Sequence, residues 1–171
     1  AMGLPLPMNP KGELVPMKDT QKVEKILDRA TYIVALLMSV YHLLASQYTI
    51  FPSELHINIH LMFALVIVFL QAIKFGEKYS KLKNLIYIVM IVGTIVTMTY
   101  IHFHAMEFQF AMGKQPFDKV LTGAVLIIIM LFATRTVWGR IIPIIAIIGL
   151  LYGYFGPYMP SVFYHGGLSL P

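Results

Sequence analysis

IIPIIAIIGLLYGYFGPYMPSVFYHGGLSLP, residues 141 to 171, runs for thirty-one residues without one Asp, Glu, Lys or Arg. Its first half, Ile141 to Phe155, is an apolar run punctuated by Pro143, Gly149 and Gly153, and its second half is a tract of Gly, Pro and aromatic residues. Such a stretch reads as a helix that crosses a bilayer and delivers the chain to the interface beyond. Four further apolar stretches precede it, at 31–50, 57–73, 85–101 and 120–134. The first is long enough for a ~30 Å hydrocarbon core at ~1.5 Å per residue; the last two are short. With the six residues between them, the stretches at 120–134 and 141–155 would cover ~54 Å as one helix, too much for one crossing, so they read as two spans joined by the polar turn Arg135 to Arg140.

The composition agrees. Hydrophobic residues make up 58% of the chain and charged residues 12%, outside the range of soluble domains. The expected fold is all-α: a polytopic helical membrane protein of about five transmembrane helices, or four plus a linking or interfacial helix. Residues 1–25 read as a cytoplasmic tail and interfacial lead-in, 26–155 as the membrane domain and 156–171 as an extracytoplasmic exit segment. The absence of cysteine removes disulfides, thiolate nucleophiles and Cys-ligated metals. No cleavable signal peptide is evident, because Pro5, Pro7, Pro10 and Pro16 interrupt the amino end.

A net charge of +5 could suggest nucleic acid, but the cations lie in short clusters between apolar runs and form no continuous basic stripe. They report topology instead. Lys11, Lys18, Lys22, Lys25 and Arg29 precede the first span, Lys74, Lys78, Lys81 and Lys83 separate the second from the third, and Arg135 and Arg140 separate the last two. Eleven of the thirteen Lys and Arg residues therefore fall on one side, against Lys114 and Lys119 on the other. This places the amino end in the cytoplasm and the carboxyl end outside, with the loops 51–56 and 102–119 exterior.

Ionisable groups within a membrane are the usual pointers to ion and proton pathways. None of the five apolar stretches holds Asp, Glu, Lys or Arg, which argues against a complete pump or a carboxylate-based exchanger. Glu54, Glu107, Lys114 and Asp118 read as solvated loop charges. Histidines remain: His42 in the first span, His56 and His60 one helical turn apart in HINIH, and His102 and His104 just beyond the third span. Imidazoles on facing helices could ligate haem or a metal, and His60 and His102 stand at similar expected depth. The plainer reading makes His42 and His60 helix-to-helix hydrogen-bonding groups. Gly149 and Gly153 form a small-xxx-small pair suited to close approach by another helix. Trp138 and the group Tyr152, Tyr154, Phe155 and Tyr158 fit aromatic belts at opposite interfaces.

The run FDKVLTGAVLIIIMLFATRTVWGRIIPIIAIIGLLYGYFGPYMPSVFYHGGLSLP, residues 117–171, resembles the amino-terminal, small-subunit-like portion of fused permeases of the tripartite ATP-independent periplasmic (TRAP) transporters, especially those working with TAXI-type binding proteins. The residues that carry the resemblance are Arg135, Gly139, Arg140 and Pro143, then Phe155, Gly156, Pro157, Tyr158 and Pro160, and then His165 and Gly167 before Leu168, Ser169 and Leu170. Ile59-His60-Leu61 with FALVIVFL after it is similar to that family's second span. The chain departs from the pattern at Thr136, where a second basic residue is usual, and at Gly166, where an Arg is common. The resemblance implies a non-enzymatic part of a secondary transporter in a prokaryotic cytoplasmic membrane. An extracytoplasmic TAXI-type protein would capture a small organic anion, and a large multispan permease domain, following this region, would carry it inward. The coupling ion, Na+ or H+, would belong to that domain, with no cofactor here. Two other readings stay open: a small membrane redox protein holding haem or metal on histidines, and a standalone membrane adaptor.

Overall fold

The computed structural model describes residues 17–48, 53–75, 81–110, 116–160 and 162–166. Helices α1 (Met17–Gln47), α2 (Ser53–Phe75), α3 (Lys81–Phe103), α4 (Ala105–Phe110), α5 (Phe117–Trp138) and α6 (Ile141–Phe155) follow in order, and a 3-10 turn, Gly156–Tyr158, ends α6. Among the described residues there is no strand. α1, α2, α3, α5 and α6 with its turn are five helices long and apolar enough to cross a membrane. The protein is an all-α polytopic membrane protein. Its residues gather into two compact units, divided within α3 after Met98.

In the first unit α1 and α2 pack as an antiparallel pair. Leu27, Thr31, Val34, Met38, Tyr41 and Ala45 are half-buried and recur at alternating spacings of four and three, the pattern that lets one helix lie along another at a shallow angle. Two contacts fix the register: Lys74 pairs with Asp28 near one end, and His60 meets His42 nearer the other. α3 runs antiparallel to α2, since Asn58 of α2 donates to the Met98 carbonyl at 2.9 Å while Phe69 and Tyr87 have ring centroids 6.4 Å apart. α2 is thus the central element, and its Leu65, Phe69 and Ala72 are buried together with Thr94, Thr97 and Met98 of α3. Thr94 is wholly buried without leaving a polar group unpaired, because its hydroxyl donates to the Met90 carbonyl at 2.8 Å.

α1, α2, α3 and α5 start before the apolar stretches expected from the sequence. α1 begins at Met17, so the charged lead-in Lys22 to Arg29 is its first turns, and Thr49 and Ile50 of the expected first span lie outside the described residues. α5 starts at Phe117 and takes in Asp118 and Lys119, and it ends with Arg135 in its last turn. The expected six-residue turn between the last two spans is only Gly139 and Arg140. The reason is that a charged residue in an end turn can reach past the hydrocarbon, so helical hydrogen bonding does not stop where hydropathy does. The 102–119 segment, expected as a loop, contains α4. There the i to i−4 bonding continues through His104, which accepts from Phe108 N–H and donates to the Tyr100 carbonyl. The Tyr100 and His104 rings stack at 4.2 Å across that turn.

Packing in the first unit makes a contrast that mutation can read. Phe69→Ala empties a fully enclosed site and is expected to cost about 3 kcal/mol or more. Thr31→Val removes a hydroxyl that has no hydrogen-bond partner although it is buried, and should change stability by less than about 0.5 kcal/mol or raise it. Unfolding titrations of the two variants in detergent micelles check both.

Candidate functional site

The second unit holds almost every residue singled out by the carboxyl-terminal tract. Gly139 makes the turn between α5 and α6 with φ 75 and ψ −156, a backbone region open in practice only to glycine. Its N–H still bonds the Arg135 carbonyl at 3.1 Å, so the turn closes α5 as it leaves it. Ile128 of α5 and Ile147 of α6 line one cleft, although a straight helix would hold them ~28 Å apart. The two helices therefore fold back on each other. The cleft measures about 590 Å³, and its walls are Ile128, Leu131, Phe132, Pro143, Ile144 and Ile147, with Arg135 and Arg140 also lining it. Both arginines are exposed, and among the described residues neither pairs with a carboxylate. Pro143 is the buried residue of α6.

At the far end of α6 the chain doubles back. His165 lays its imidazole over Gly156, where an added Cβ would stand 2.0 Å from the ring carbon Cε1. The same ring packs on Tyr152 at 4.7 Å between centroids, and its Nε2 donates to the Tyr152 carbonyl at 3.1 Å. Tyr152 reciprocates, its hydroxyl donating to the Phe163 carbonyl at 3.1 Å. Backbone bonds from Met159 and His165 to the Gly156 carbonyl and from Phe163 to that of Pro160 complete a small plug. Gly156 has ordinary helical dihedrals, so glycine is needed here for space and not for conformation. Pro157, Tyr158 and Pro160 are exposed, and the Phe155 ring stands near that of Tyr158. Gly167 lies outside the described residues. Gly149 is exposed and a Cβ there would meet nothing within 4 Å, while Gly153 is half-buried.

His60 lies elsewhere, in the first unit, among histidines. His42 donates from Nδ1 to the Met38 carbonyl at 2.6 Å, and its Nε2 meets His60 Nδ1 at 2.9 Å in a hydrogen bond between the two rings. His56 Nδ1 and the Tyr41 hydroxyl share a bond of 3.2 Å, with the two rings stacked at 5.3 Å. The imidazoles thus join α1 to α2. Among the described residues no group of three or more His, Asp or Glu side chains is arranged to hold a metal ion.

Sequence reasoning passed over one cluster in the second unit. Lys119 is buried and pairs with Glu107 at 3.1 Å, with its ammonium 5.8 Å from the Phe108 ring centre, while the Tyr100 hydroxyl donates to the Asp118 carboxylate. Glu107 and Asp118 therefore tether α4 and α3 to α5 while remaining solvent-exposed, and both stand on helices and not in a loop. The signal for the first tether lies in the pairing of one acid on the short amphipathic AMEFQF with the Lys at the start of α5. Searches against family models, curated proteins and solved structures find no match to this chain.

The His165 and Gly156 contact is testable as a pair. Gly156→Ala should displace the imidazole and lower protection of residues 162–166 against hydrogen exchange by the equivalent of about 1–3 kcal/mol. With His165→Ala already in place, the same Gly156→Ala change should add almost nothing.

Proposed function

We propose that this chain is a membrane scaffold of the small-subunit type used by TRAP-class transporters, bracing a large multispan permease domain through α5 and α6. The observation that carries this reading is the open face of α6. Ile141, Ile144, Ile145, Ile148, Leu151 and Tyr154 are all exposed, and Gly149 sits among them with free space over it. Lipid tails accept isoleucine and leucine readily but have no use for glycine, which weakens a helix by ~1 kcal/mol relative to alanine. A bare glycine on an otherwise bulky span suits the close approach of another helix. The plug around Gly156 and His165 supports the same reading, because it gives the tract of family-like residues a structural use: it sets a firm exit from α6 toward whatever α6 braces.

In this proposal the cation distribution puts the amino end and the Arg135–Arg140 turn at the cytoplasmic face of a prokaryotic inner membrane, and the plug at the outer face. A TAXI-type binding protein delivers a small organic anion from that outer side, and the permease domain moves it with a Na+ or H+ gradient. The scaffold contributes no ion site of its own. It holds one side of the transport domain still so that the mobile part has something to move against.

Affinity purification of the tagged full chain from its native membrane checks this. A large multispan permease, identified by mass spectrometry, should co-purify, and Gly149→Leu should reduce its recovery at least tenfold while leaving helix content unchanged. Failure of any such permease to associate would overturn the proposal.

A further inference from the structure

The cleft between α5 and α6 combines two features, an apolar groove and a pair of cations at one end of it. Six of its eight lining residues are apolar, and the other two are arginines on either side of the Gly139 turn. Its volume, about 590 Å³, falls within the ~300–1,000 Å³ of small-ligand sites. Guanidinium is the side chain best matched to phosphate, planar and able to donate two parallel hydrogen bonds. Neither Arg135 nor Arg140 spends that capacity on a carboxylate among the described residues. Trp138, exposed and three residues beyond Arg135, is the residue type that settles at headgroup depth, which sets the turn at the boundary between hydrocarbon and headgroups.

We infer that this cleft is a binding site for an anionic phospholipid, whose phosphate lies between Arg135 and Arg140 and whose acyl chain fills the groove along Ile128, Phe132, Pro143 and Ile147. The chemistry divides along the cleft as it divides along the lipid. An apolar groove alone would take any tail; the paired cations select a negatively charged headgroup, and the depth of the turn brings headgroup and tail into register with their counterparts. The inference rests on α5 and α6 lying in a membrane and not on the scaffold reading, so either can fail without the other.

The test uses the purified full chain in detergent, titrated with dioleoyl phosphatidylglycerol and separately with dioleoyl phosphatidylcholine, with bound lipid read by native mass spectrometry. Two cations at the membrane surface correspond to phosphatidylglycerol binding about thirtyfold tighter than phosphatidylcholine. Arg135→Gln with Arg140→Gln should reduce that preference to less than about threefold, whereas Lys81→Gln with Lys83→Gln, at another helix end, should leave it in place. If the arginine variant loses helix content by circular dichroism, Ile147→Trp takes its place: it fills the groove, keeps both guanidiniums and should abolish tight lipid retention. Equal affinity for the two lipids overturns the inference, as does an equal loss of preference in the lysine variant. Competition by inorganic phosphate as effective as phosphatidylglycerol would show a simple anion site and overturn it as well.

Discussion

Within hydrocarbon a polar group has no water to turn to, so every N–H, C=O and hydroxyl inside a span must find its partner in the protein. The helices satisfy the backbone, and the side chains follow the same rule by folding onto it. Ser39 donates to the Ala35 carbonyl, Thr94 to Met90, Thr122 to Asp118, Thr134 to Met130 and Thr136 to Phe132, each four residues back. His42 and His104 do the same through Nδ1. What remains after that is spent between helices, by Asn58 on the Met98 carbonyl and by His60 on His42. In the α1–α2 seam, Thr31 Oγ1 and Gln71 Oε1 break the rule, both buried without a hydrogen-bond partner among the described residues. The register set by Asp28 with Lys74 and His42 with His60 puts Thr31 opposite Gln71, so the two exceptions share one level of the α1–α2 seam.

The same constraint sorts charge toward helix ends. Asp28 meets Lys74 at one end of the α1–α2 pair, and Lys119 meets Glu107 where α5 begins. Each cation there has an acid. The α5–α6 turn differs, since it collects two arginines and no acid among the described residues, and it does so beside an apolar cleft. The two arrangements differ in kind: Asp28–Lys74 and Glu107–Lys119 join helices, while Arg135 and Arg140 are exposed beside the cleft.

Much of this was legible in the sequence because hydropathy and helical length act locally. α6 covers residues 141–155 as the apolar run does, and α2 exceeds the expected 57–73 by only a few residues at each end. The helix starts of α1 and α5 were not legible, because a lysine or aspartate in a first turn costs little when it can reach the interface, and so hydropathy falls before the helix does. Contacts distant in sequence were less legible still. His42 and His60 were readable as helix-to-helix hydrogen-bonding groups, but that they bond each other was set by a register that only packing decides. Gly156 read as part of a Gly and Pro exit; that it makes room for the ring of His165, nine residues on, depends on a fold-back that no local pattern announces. The pairing of Lys119 with Glu107 was illegible for the same reason.

The most direct measurement is a map of which side of the membrane each helix end occupies. The chain has no cysteine, so single substitutions report cleanly. Lys25→Cys, Tyr48→Cys, Lys83→Cys, Phe110→Cys, Trp138→Cys and Tyr164→Cys stand at successive ends of α1, α2, α3, α5 and α6, and an impermeant maleimide on intact cells reads their exposure. Five crossings require strict alternation, with Tyr48, Phe110 and Tyr164 labelled from outside and Lys25, Lys83 and Trp138 labelled only after the membrane is opened. Labelling of Phe110, Trp138 and Tyr164 from the same side would contradict it, since α5 and α6 would then lie along the membrane and not through it.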